Sequence, residues 1–271
     1  LGTALLRLFG ERAVALDLPE SDITDRAAVA AAMERYSPDV VINAAAFTQV
    51  DLAETEPERC HAVNVRGVEN LLAECQRSGT RIVQISTDYV FDGRQSTPYH
   101  ETARPNPLNV YGRTKLAAER LVAQSPHHLI VRTAGLFGAG GPTANGNFVD
   151  TMLKLAGQGR PLRVVNDQTS SFTLAAHLAN GIATLIASQR TGVFHLANSG
   201  AATWYEVALE AFRTAGLDVQ VEPVPMAEYP RAAQRPRFSV LDTSKYDQIP
   251  GHFPMSTWQE AVSAYVASHA K

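Results

Sequence analysis

Apolar residues recur along this chain in two rhythms. Ala4, Leu5 and Leu8 fall on one stripe of a 3.6-residue repeat, which predicts an amphipathic helix over 1–9. The apolar run 12–16, closed by Asp17, reads as a strand, and 39–46 (Asp-Val-Val-Ile-Asn-Ala-Ala-Ala) reads as a buried strand. Helical spacing then covers 57–77 and 110–123, with further strands at 81–86 and 128–132. Continuous apolar strands separated by helices predict a parallel sheet covered on both faces, an α/β doubly wound fold. After Thr133 the pattern loosens into a glycine-rich stretch, 135–146, which fails G-x-G-x-x-G spacing and reads as a flexible lid. Helices at 148–156, 174–187 and 204–215 alternate with strands at 162–165 and 193–196. A Pro-rich loop, 223–236, precedes a closing helix at 257–268, where Ser256 and Gln259 are spaced as a capping box. Residues 1–134 are therefore expected to form the sheet domain. Residues 135–271 are mostly a smaller lobe, interleaved with the last sheet strands, that shapes a substrate pocket.

Composition narrows the classes of function. Over 271 residues, 45% are apolar and 19% charged, which excludes a disordered chain. A net charge of −3 offers no cationic face, so no nucleic-acid partner is expected. No apolar run approaches a membrane span, and no basic and apolar leader opens the chain. Cys60 and Cys75 fall on the same predicted helix, about 22 Å apart at ~1.5 Å per residue, beyond disulfide reach. Two free thiols fit a reducing compartment, and a cytoplasmic protein is expected. The eight His are scattered and no Cys/His spacing suggests zinc, so no metal is expected.

The segment Tyr111-Gly112-Arg113-Thr114-Lys115 carries the chemistry. Tyr and Lys four apart on a helix share a face, and an ammonium beside a phenol is expected to draw its pKa down toward neutrality. With 8 Tyr in the chain, chance supplies about 0.1 such matches, so the motif alone is moderate support. Upstream, a buried strand ends in Ser86-Thr87-Asp88-Tyr89, placing a hydroxyl at the carboxyl edge of the sheet, where doubly wound folds bind ligands. Thr87 there can hydrogen-bond a substrate carbonyl, or simply cap the following turn.

Thr87, Tyr111-x-x-x-Lys115 and the strand ending Asn43-Ala44-Ala45-Ala46 resemble the extended short-chain dehydrogenase/reductases. More narrowly, the blocks 86–93 (Ser-Thr-Asp-Tyr-Val-Phe-Asp-Gly), 107–115 and 239–245 are similar to the dTDP-4-dehydrorhamnose reductase family, and the likeness covers nearly the whole chain. It implies a Rossmann-like domain over 1–134 that is N-terminally incomplete. The family's first strand is missing from the sequence, and Leu1-Gly2 resembles the tail of its glycine-rich turn. NADPH or NADH is the implied cofactor, bound by Gly2, Asp17, Asp22, Ile23, Ala44, Ala45, Ala46, Tyr111 and Lys115. An acid at Asp17 would bond the ribose 2′-OH and favour NADH. Gly2 also reads as an ordinary residue at a helix start, and Ser21-Asp22 as a cap or turn. Thr48, Val50, Thr87, Asp88, Tyr89 and Arg237 are the implied substrate-binding residues.

The implied activity is reduction of dTDP-4-dehydro-6-deoxy-L-mannose at C4 to dTDP-L-rhamnose. Thr87, Tyr111 and Lys115 are the catalytic residues and Tyr111 the proton donor. Related sugar-nucleotide 4,6-dehydratases carry an acid where Tyr89 stands, so elimination is disfavoured. Gly135 stands where the family commonly has Trp, which leaves a reductase of another nucleotide keto-sugar open. A non-catalytic NADP-binding subunit, like the regulatory subunit of methionine adenosyltransferase, is also open. The expected partner is a nucleotide-sugar, with no membrane and with a homodimer left open.

Overall fold

The computed structural model describes residues 1–19, 21–140, 146–159 and 161–269. Helices α1 (Gly2–Phe9) and α2 (Arg26–Tyr36) precede strand β1 (Val40–Asn43). Helices α3 (Val50–Thr55), α4 (Pro57–His61) and α5 (Gly67–Ser78) lead to β2 (Arg81–Thr87), and α6 (Val110–Val122) leads to β3 (Leu129–Thr133). The chain continues with β4 (Leu136–Phe137), α7 (Phe148–Ala156), β5 (Leu162–Val165), β6 (Thr169–Ser170), β7 (Thr173–Leu174) and α8 (Ala175–Ala187). Then come β8 (Gly192–His195), β9 (Ala202–Thr203), α9 (Trp204–Ala215), β10 (Val221–Val224), β11 (Phe238–Ser239), α10 (Ser244–Asp247) and α11 (Trp258–His269).

The main sheet has the order β1-β2-β3-β8, every pair parallel. Side chains alternate across it and each face is roofed by helices. Ile82 and Ile130 enter one cluster with Val29, Met33, Leu72 and Val122 from α2, α5 and α6. Their neighbours Val83, Leu129 and Val131 enter the other, with Leu5 from α1 and Leu178, Ile182 and Leu185 from α8. This two-sided burial is the reason the strands read as continuous apolar runs. Two smaller sheets follow, β11-β6-β9 and the pair β10-β5; Phe172, Val207, Trp258 and Tyr265 form one further core cluster, and Leu162 and Val164 of β5 pack in another with Ala208 and Phe212 of α9.

Four expectations are corrected. The run 12–16 is not a strand: no strand in the described residues pairs with it, and Val14 and Leu16 are 58% and 47% exposed. The 39–46 strand is shorter and only half-buried, because among the described residues β1 pairs on one side only, with β2. The 57–77 helix is continuous in path but widens to a π-turn at 62–66, between α4 and α5. The capping box of α11 lies one residue later: Thr257 Oγ1 accepts from Glu260 N–H at 3.2 Å while Glu260 accepts from Thr257 N–H at 2.9 Å. Thr257 wins because its own oxygen reaches the third helical N–H, a register that spacing alone did not distinguish. Part of the glycine-rich stretch read as a lid, 141–145, lies outside the described residues. Cys60 and Cys75 are free and buried. Among the described residues no helix is long and apolar enough to cross a membrane.

Leu178 is fully buried where α8 meets the sheet. Leu178→Ala is expected to lower stability by about 2–5 kcal/mol, read as a shift of the urea midpoint at constant m-value.

Candidate active site

The site is assembled where α6 crosses the carboxyl end of β2. Asn109 caps α6, its side chain accepting from Gly112 N–H at 2.8 Å, and Val110 N–H donates to Glu54 at 2.7 Å. Gly112 lets the helix approach: a Cβ there would sit 2.2 Å from the Tyr89 carbonyl oxygen. With that approach made, Tyr111 lies edge-on to Tyr89, ring centroids 6.0 Å apart, and the Thr87 hydroxyl is near enough to its phenol to pull its pKa down. Lys115, one turn on and buried, donates from Nζ to the Ile85 carbonyl at 2.6 Å. Thr87, Tyr111 and Lys115 thus come together at one sheet edge.

The electrostatics differ from expectation. Burial pushes the Tyr111 phenol well above its ordinary pKa, helped by the nearby Asp88 charge and opposed by the Thr87 hydroxyl. The expected lowering by Lys115 is not met, because the ammonium is turned to the Ile85 carbonyl and desolvation is the larger effect. Burial also lowers Lys115, to about 8, against the pull of Glu119 one turn further along α6. Glu119 is itself buried. It accepts from Ser86 Oγ at 2.5 Å and from Arg132 Nε and Nη2 at 2.9 and 2.7 Å.

The other expected residues are spread along the same edge and beyond it. Ala44 and Ala45 are exposed after β1, with Ala46 half-buried, Thr48 exposed and Val50 half-buried at the start of α3. Two buried amides shape this segment. Asn43 accepts from Ala45 N–H at 3.2 Å, while Asn64, in the π-turn, holds Phe47 through its N–H at 2.8 Å and its carbonyl at 3.2 Å. Gly2 is exposed at the amino end of α1, and Asp17 is exposed. Asp22 closes a turn by accepting from Thr24 N–H at 2.8 Å, and Ile23 packs where a Cβ on Gly67 would stand. Asp88 is 3% exposed, both of its oxygens bonded to protein hydroxyls, so it does not face outward. Arg237 is exposed and paired with Asp167 at 3.3 Å. The guanidinium beside Tyr89 belongs instead to Arg235, held by Asp51 at 3.0 and 2.8 Å. Gly135 has φ +49, and a Cβ there would lie 2.7 Å from Phe172, so no larger residue fits the backbone as it runs.

Sequence reasoning missed Glu119 and Ser170 as neighbours of the site, preferred Arg237 to Arg235, and met Ser239 only as the start of the 239–245 block. Glu119 carried a signal, since it lies four residues after Lys115 on the same helix face. The serines carried none, being far from Asp88 in sequence.

A parallel doubly wound sheet with a threonine at one strand end and a Tyr-x-x-x-Lys helix across it defines a protein of the short-chain dehydrogenase/reductase class. Over residues 1–270 the chain matches the family described as RmlD substrate binding domain, and it belongs to that family. It is 41% identical to a dTDP-4-dehydrorhamnose reductase of Streptomyces griseus, over 96% of this chain and 87% of the relative. Among solved structures, a dTDP-4-dehydrorhamnose reductase from Clostridium acetobutylicum superposes with TM-score 0.94 at 36% identity, covering 100% of this chain and 96% of that one. The Bacillus anthracis dTDP-4-dehydrorhamnose reductase in complex with NADP gives TM-score 0.88 at 34% identity, over 93% of this chain and 89% of that one.

Gly112→Ala tests the close approach of α6. The added Cβ meets backbone, which cannot swing aside, and a loss of about 1–3 kcal/mol is expected in denaturant unfolding, where Ala in an open helix would stabilise.

Proposed function

We propose that the chain reduces the C4 keto group of dTDP-4-dehydro-6-deoxy-L-mannose to give dTDP-L-rhamnose. The single observation that carries the reading is the meeting of Thr87, Tyr111 and Lys115 at the sheet edge, in a chain that matches its family over residues 1–270.

The residues suit a dinucleotide. Ala44 and Ala45 are exposed and carry nothing beyond Cβ, which leaves backbone open along the edge, and the Lys115 ammonium lies at the same edge. Ala44, Ala45, Ala46, Tyr111 and Lys115 would hold it, with Gly2, Asp17, Asp22 and Ile23 toward the amino end; the exposed Asp17 carboxylate favours a free ribose 2′-OH. NADPH or NADH, when bound, supplies the hydride for C4. Thr48, Val50, Thr87 and Tyr89 would line the sugar.

Tyr111 gives the proton. Reduction places negative charge on O4, and the phenol O–H protonates it; the raised pKa keeps that proton in place at neutral pH. The phenolate left behind is offset by the Lys115 cation one helical turn away and regains its proton from solvent. Tyr89 closes the side where an elimination would need an acid.

Tyr111→Phe is expected to lower kcat by ~10²–10⁴-fold with a far smaller change in cofactor affinity, followed as NADPH and NADH oxidation with the keto-sugar. A variant that turns over at a near-normal rate overturns the assignment. Lys115 is charged below about 8 and neutral above it. kcat is therefore expected to fall as pH rises through that value, and Lys115→Met to remove this alkaline limb.

A further inference from the structure

The chain between β10 and β11 passes beside the site, and three successive residues of it are tied down there. Ala233 N–H donates to Asp51 Oδ1 at 3.1 Å, and the Arg235 guanidinium takes both Asp51 oxygens at 3.0 and 2.8 Å. Between them the Gln234 carbonyl accepts from Asn109 Nδ2 at 2.8 Å. Further on, Pro236 and Arg237 run against the turn after β2, where a Cβ on Gly93 would stand 2.6 Å from the Arg237 nitrogen. The Arg237 carbonyl then accepts from Thr169 N–H of β6 at 2.8 Å. Residues 231–237 therefore form a strap laid from the edge of β6 across the first turns of α3 and α6. Asp51 follows Val50, and Asn109 stands two residues before Tyr111.

Asn109 is 1% exposed, and both ends of its amide are used. Oδ1 accepts from Gly112 N–H at 2.8 Å and closes the first turn of α6, the turn that carries Tyr111. Ser, Asp and Asn all cap a helix in this way. An ionised Asp has no proton to give, however, and a serine oxygen that caps lies close to its own backbone, short of the strap. Asn is the cap that also donates outward. The Gln234 carbonyl needs that donor, because Ala233 beside it is 3% exposed and a buried carbonyl left unpaired is costly.

We propose that Asn109 is a positioning residue with two duties: its oxygen fixes the helix turn that carries Tyr111, and its amide N–H fixes the 231–237 strap to that same turn, so that the strap and the proton donor meet the substrate in one register. This rests on the reductase reading above, which sets Val50, Tyr89 and Tyr111 along the sugar. The two duties differ in their kinetic consequence. A frayed first turn displaces Tyr111 from the reacting oxygen, which lowers kcat. A loosened strap must be ordered again each time substrate binds, which weakens binding and raises KM.

Variants at 109 separate them. Asn109→Ser keeps the cap and removes the donor, Asn109→Ala removes both, and Asp51→Ala cuts the strap's other anchor without touching α6. The experiment measures kcat and KM for the keto-sugar with NADPH in the wild type, these three variants and Tyr111→Phe, with hydrogen exchange of the strap amides read by mass spectrometry. Asn109→Ser is expected to raise KM about 10-fold, with kcat within about twofold of wild type and faster exchange over 231–237. Asn109→Ala is expected to raise KM equally and also to lower kcat about 10-fold. Asp51→Ala should repeat the Asn109→Ser pattern. If Asn109→Ser or Asp51→Ala keeps the wild-type KM while Tyr111→Phe is inert, the proposal falls and the reductase reading stands, even where the strap exchanges faster. If Tyr111→Phe turns over normally, the reductase reading falls first. Should Asn109→Ser fail to fold, Asn109→Asp, a cap with no donor, is read in its place: a raised KM supports the proposal and an unmoved one overturns it.

Discussion

Successive residues at the end of β2 are each tied to something other than their own sheet. The Ile85 carbonyl takes the Lys115 ammonium, the Ser86 hydroxyl bonds Glu119, and the Thr87 hydroxyl bonds Asp88. Docking α6 across this strand end is the contact on which every distance in the site depends. It requires a glycine at 112, because the Tyr89 carbonyl lies against the helix backbone. It also places a lysine and a glutamate in the dry layer between helix and sheet. Burying such charges costs more than their attraction returns unless each is closely paired. Arg132 meets that condition for Glu119 with two short bonds, and Glu119 in turn favours the charged form of Lys115. The buried pair is thus better understood as the support of a cation than as a source of stability.

The doubly wound core was legible because its cause is local. Strands buried on both faces must be apolar throughout, and helices that roof them must be striped, so 81–86, 128–132, 148–156 and 204–215 fell close to the observed elements. The run 12–16 has the same composition but forms no strand, since a strand is defined by its neighbour and composition does not name one. Likewise the π-turn that aims Asn64 at Phe47 leaves no mark in periodicity. The candidate site divides in the same way. Thr87, Tyr111 and Lys115 lie on two adjacent elements and their spacing declares them. The partners of Asp88 come from strands 82 and 151 residues away, and the choice of Arg235 over Arg237 rests on which guanidinium the path of the chain turns toward Asp51.

The phenol illustrates how burial and charge compete. A cation one helical turn from a tyrosine suggests a lowered pKa, and in water that inference would hold. Here the phenol is desolvated and has a carboxylate nearby, so both influences raise it, while the ammonium is engaged by a backbone carbonyl. A donor in a reduction must hold its proton until hydride has arrived, and a raised pKa secures that. In the proposed reduction the lysine would matter later, when the proton has left and a phenolate needs a counter-charge. On that proposal the same pair of residues would act through the charge that develops during the reaction.

Tyr89 bears on why one proton suffices. Elimination of water needs a second acid/base group beside the sugar, and the position after Thr-Asp is where such a group would stand. The phenol there is raised by burial and by Asp88, against the pull of the nearby Arg235 and Gln168, and presents its ring against Tyr111. A side chain so engaged is a wall and not a proton carrier at neutral pH. Its ring fixes the tilt of Tyr111, and its N–H occupies a lone pair of Thr87. On the proposed reading, an aromatic in place of an acid would leave Tyr111 as the proton route, which is the arrangement a simple ketone reduction requires.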